Sequence, residues 1–133
     1  MARCAIYTTN TSAQALTAGS IIPVGSTTRR FGKSIRQDGN TITLLGEGYY
    51  HVNASATLIP SAAGTVTVTG QKDGVAVVGA TASATVAAVS TATNLNLDFI
   101  VRNICGCSSS ILSFVLTGAD ATLSNLAVTV EKL

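Results

Sequence analysis

The chain has no tryptophan, two prolines, one histidine and only 11% charged residues. Each shortage excludes something. Soluble domains ordinarily carry roughly 25% charged residues. So few charges cannot cover the surface of a free monomer. Thr, Ser, Asn, Ala and Gly must do much of that work, or other copies of the chain must. We take the second reading. A net charge of +2 gives no general signal for a polyanion partner, so nucleic acid is not expected. Carbohydrate sites usually present exposed aromatics, and three Tyr and three Phe leave few for that purpose.

Long apolar runs are missing as well. No stretch approaches the roughly 18 apolar residues that span a membrane. The opening "MARCAIYTTNTS" has one Arg and no apolar core, so it is not a signal peptide. The expectation is a chain made in the cytoplasm that stays there, or leaves inside an assembly or by lysis. Its three cysteines, Cys4, Cys105 and Cys107, make a poor disulfide framework. "CGC" is too tight for an easy internal disulfide, and no second Cys or His pair completes a zinc site. Free, partly buried thiols are expected. A contact between Cys4 and the "CGC" turn, or thiols clustered on a symmetry axis, is the alternative.

Catalytic equipment is equally thin. The acids Asp38, Glu47, Asp73, Asp98, Asp120 and Glu131 are scattered, suggesting neither a carboxylate dyad nor a metal cage. No Gly-x-Ser-x-Gly elbow, phosphate loop or dinucleotide fingerprint occurs. The expectation is no enzyme, no cofactor and no metal.

What the sequence does hold is period-two alternation. In "GEGYYHVNASATL", Tyr50, Val52, Ala54, Ala56 and Leu58 fall on one side; Tyr49, His51, Asn53, Ser55 and Thr57 fall on the other. Pro60 stops the run. "TITLL" is a short strand. "GTVTVTGQKDGVAVVG" reads as a hairpin with its tight turn at Asp73-Gly74. "TNLNLDFIVR" puts Leu95, Leu97, Phe99 and Val101 on one face. "SILSFVLTG" does so with Leu112, Phe114 and Leu116, and "SNLAVTVEKL" with Leu126, Val128 and Val130. "GATASATVAAVSTATN" has helix-favouring alanines, but its Thr, Ser and Val residues favour a strand and loop. No linker, tail or fixed-period repeat is evident. The fold expected is one all-β domain over residues 1–133, an antiparallel jelly-roll sandwich of about eight to ten strands. Residues 1–23 are expected to form an N-terminal docking arm or a first strand.

The order of these features carries a resemblance. Gly48, Tyr50 and Val52 open a long strand as Gly-x-Tyr-x-Val. A hairpin with an Asp-Gly turn follows, then an alternating Leu/Phe strand and a final strand at the C-terminus. This resembles the trimeric jelly rolls of the tumour necrosis factor and complement globular-head type, nearest to bacterial and bacteriophage versions in spore-surface glycoproteins and virion proteins. "NTSAQALTAGSIIPVG" is similar to small proteins of phages of Gram-positive bacteria. The resemblance runs from about Tyr7 onward. The collagen-like stalk that often precedes such domains does not appear. A homotrimer is implied. So is a structural virion role, as capsid decoration or short head fibre, with capsid or other virion proteins as partners. A receptor- or glycan-binding adhesin module and a spore- or cell-surface structural protein are the alternatives.

Two sets of residues are singled out. Tyr49, His51 and Asn53 are expected to face a neighbouring copy, with His51 packed or interfacial rather than catalytic. The cluster "RRFGKSIR", with Arg29, Arg30, Lys33 and Arg36, reads as a solvated loop or an inter-subunit salt-bridge patch, and together with Arg3 it offers a contact to a capsid or subunit surface. Phe31 alone is a weak platform for stacking single-stranded nucleic acid.

Overall fold

The computed structural model describes residues 4–61, 63–86, 92–104 and 109–133. Arg3, Cys105, Cys107 and part of the Ala-rich stretch (87–91) lie outside the described residues. Two antiparallel sheets pack face to face. The chain runs through β1 (Ala5–Asn10), β2 (Gln14–Leu16), β3 (Ser26–Phe31), β4 (Ile35–Asp38), β5 (Thr41–Leu44), β6 (Gly48–Pro60), β7 (Gly64–Lys72), β8 (Val75–Val86), β9 (Thr93–Asn103), β10 (Ser110–Thr117) and β11 (Ala121–Lys132). One sheet has the order β3-β1-β11-β6-β9, with β2 also pairing β11; the other has the order β4-β5-β10-β7-β8. Eleven strands are described where about eight to ten were expected. The additional ones are short segments such as β2 to β4, which alternation alone does not mark.

Alternation builds the core. Along β6, Tyr50, Val52, Ala54, Ala56 and Leu58 are buried, and β9 buries Leu95, Leu97, Phe99 and Val101. From the facing sheet β10 contributes Leu112, Phe114 and Leu116. Phe99 and Phe114 meet edge to face across the two sheets, with centroids 6.4 Å apart, an arrangement that suits the ring quadrupoles. The Tyr50 hydroxyl is buried with its ring and donates to the Gly46 carbonyl. That carbonyl also accepts from Asn103 Nδ2 at 3.1 Å.

The hairpin of β7 and β8 turns at Asp73 and Gly74, both with positive φ (54° and 82°), as a two-residue type I′ turn requires. The Asp73 carboxylate accepts the Ile111 N–H at 2.8 Å and so ties the turn to β10. β8 is an edge strand. Its Val78 is 99% exposed, while Ala80 is buried.

Within the N-terminal segment, Ala5–Asn10 and Gln14–Leu16 are strands. β1 lies between β3 and β11 and buries Ile6, Thr8 and Asn10. Ala5–Asn10 is thus part of the six-stranded sheet. "RRFGKSIR" is likewise not a single loop. Arg29 and Arg30 lie on β3 in one sheet, Arg36 lies on β4 in the other, and Lys33 sits in the crossing between them.

Candidate functional site

The outward face of the six-stranded sheet carries Tyr7, Tyr49, His51, Asp98, Arg102 and Glu131. Strand register decides what meets there. Glu131 stands opposite His51, which stands opposite Ile100; one step along, Thr129 stands opposite Asn53, which stands opposite Asp98. His51 is thus bracketed from both neighbouring strands. Its Nδ1 lies 3.2 Å from Glu131 Oε1, and its Nε2 contacts Asp98 Oδ1. The Asp98 carboxylate, and after it Glu131, raise the His51 pKa above its ordinary value because both favour the imidazolium. The His51 side chain is 31% exposed.

Tyr50 and Tyr49 divide as the alternation requires. Tyr50 is fully buried and Tyr49 is 52% exposed. The Arg102 guanidinium lies over the Tyr49 ring, 5.6 Å from its centroid, a cation–π contact. On the far side of the same face, Tyr7 and Phe31 rise beside Arg29, Phe31 being 59% exposed. Ala5, Ile6, Tyr7, Arg29, Phe31 and Thr129 line a shallow apolar cavity of about 210 Å³ there.

Tyr49, His51 and Asn53 therefore share one exposed face. The basic cluster, by contrast, is dispersed. Arg29 belongs to that face. Arg30 Nε donates to the Ile35 carbonyl at 2.7 Å. Arg36 pairs with Asp38 at 3.0 Å. The Thr43 hydroxyl, then Arg36, lower the Asp38 pKa. Lys33 is exposed in the crossing between sheets. Sequence reasoning missed the bracketing of His51. Its partners lie 47 and 80 residues away, and only strand pairing brings them together.

Chemically, a histidine between two carboxylates is a hydrogen-bonded ion cluster. The ring bridges the acids, and they do not converge on a shared point. Among the described residues no three His, Cys, Asp or Glu side chains could hold a metal ion. Cys4 is a buried free thiol whose Sγ accepts the Ser34 N–H at 3.4 Å. The Ser34 side chain beside it holds its pKa below the ordinary thiol value.

No family model matches the chain, and no curated protein matches it. Solved structures do. Murine APRIL superposes with a TM-score of 0.77 at 11% identity, over 99% of this chain and 100% of its own. The Eiger TNF of S. frugiperda gives 0.71 at 9% identity, over 98% and 91%. The PRD1 vertex protein P5 gives 0.68 at 15% identity, over 98% and 96%. The fold is an all-β jelly roll of the tumour necrosis factor type.

Proposed function

We propose that this chain is a structural protein of a bacteriophage virion, a capsid decoration or short head-fibre protein that works as a homotrimer and carries out no catalysis. The observation that carries this reading is the outward face of the six-stranded sheet. It presents Tyr7, Phe31, Tyr49 and Ile100, each more than a third exposed, among paired and unpaired charges. Aromatic residues are enriched at interfaces, and this face presents Tyr7 with Phe31 toward one edge and Tyr49 with Ile100 toward the other. Closed symmetry would cover such a face where 11% charged residues cannot keep a monomer soluble. Tyr49, His51 and Asn53 lie within the covered area. The shared fold with a phage vertex protein supports the virion setting. Lys33 and Arg36 lie away from the sheet face and are proposed as contacts to a capsid or subunit surface, modest and salt-sensitive because they are exposed.

The test is to mix the purified chain with undecorated phage particles and with host cells, and to sediment each. Recovery with particles, reduced by added salt, supports the reading. Recovery only with cells, released by free glycan, favours an adhesin instead.

A further inference from the structure

We propose that the two ends of this sheet face bind each other between copies, Arg29 and Phe31 of one chain meeting Asp98 and Ile100 of the next. The inference rests on the self-association reading above and specifies its contact.

Strand register supplies the geometry. Arg29 stands opposite Tyr7, Tyr7 opposite Thr129, Thr129 opposite Asn53 and Asn53 opposite Asp98. Arg29 and Asp98 are therefore the two ends of one row across the sheet. The adjacent row runs from Phe31 through Ala5, Glu131 and His51 to Ile100. One row ends in opposite charges and the other in two apolar side chains. Rotation about an axis parallel to the strands moves a copy sideways without shifting it along the strands. In a closed ring with that axis, each row end meets the other end of the same row. Cation then faces carboxylate, and Phe31 faces Ile100.

The groups are available for this. Among the described residues Arg29 makes no ion pair, and Asp98 pairs only with His51. Ile100 is 54% exposed. The cavity of about 210 Å³ beside Phe31 has room for a branched aliphatic side chain. The alternative two-fold axis, lying across the strands, would set Arg29 toward its own copy and Asp98 toward another Asp98. Like charges brought together in this way select against that packing.

Sedimentation equilibrium of the full chain tests the pairing with Arg29→Asp, Asp98→Arg and the double variant that carries both. Each single reversal should weaken association on the order of tenfold or more. The double variant should restore it to within a few fold, since the charges are exchanged and not removed. Circular dichroism checks that each variant folds. Should a reversal unfold the chain, the neutral pair Arg29→Gln and Asp98→Asn decides the matter: coupled effects support the contact and additive ones overturn it. If the unmodified chain associates but the reversals change nothing, or the exchange fails to rescue, this pairing is wrong and self-association stands. If the unmodified chain remains a monomer, both fall.

Discussion

His51 and Glu131 stand directly opposite each other on β6 and β11, with Nδ1 3.2 Å from Oε1, and Asp98 closes the other side of the ring. The two carboxylates raise the imidazole pKa above about 6.5, its ordinary value. A group whose folded pKa is raised contributes stability that is fully present below the unfolded value and is lost as pH rises through the folded one. The loss therefore falls above about pH 6.5. The chain has one histidine, so its imidazole resonance is unique. An NMR titration should give a midpoint above the unfolded value in the native chain, and one shifted back down in Asp98→Asn. A midpoint that Asp98→Asn leaves in place would mean that the bracketing does not hold the proton.

Thr8 faces the core from β1, and its buried Oγ1 has no partner among the described residues. An unpaired buried hydroxyl costs about 1–3 kcal/mol. Thr8→Val removes the hydroxyl and keeps the shape. It should raise stability by about 1 kcal/mol, read as a higher denaturant midpoint with unchanged slope. A destabilised Thr8→Val chain would show that the hydroxyl is satisfied in solution.

Gly70 on β7 sits against Phe99 of the facing sheet. A Cβ there would stand 2.7 Å from Phe99 Cζ and 3.2 Å from the Ala80 Cβ. Phe99 is itself fixed against Phe114, so it has little freedom to withdraw. Gly70→Ala should cost about 1–3 kcal/mol through overpacking. Equilibrium unfolding of the variant checks this, and a neutral result would mean that the ring has room to move.

How much of this was legible in the sequence depends on what each residue's position rests on. Tyr50, Val52 and Leu58 on β6, or Leu95, Leu97 and Phe99 on β9, declare their face through neighbours two positions away. The turn at Asp73-Gly74 is equally local, because only a few residue types tolerate two positive φ angles. β3 is different. Its residues Ser26–Phe31 are exposed throughout, so no alternation separates one face from another, and the stretch reads as a basic loop. β1 reads as a terminus until its pairing with both β3 and β11 is known. The His51 cluster was hidden for a stronger reason. The acids look scattered along the chain, and their meeting on either side of His51 exists only in the register of β11 with β6 and of β6 with β9.

The proposed self-association of the sheet face connects the low charge, the exposed aromatics and the proposed virion role. Sedimentation equilibrium of the unmodified chain at micromolar concentration addresses it directly. The expected result is a mass three times the 13.4 kDa of one chain, held across a tenfold dilution. A single-chain mass throughout that range, from a folded and soluble sample, would contradict it.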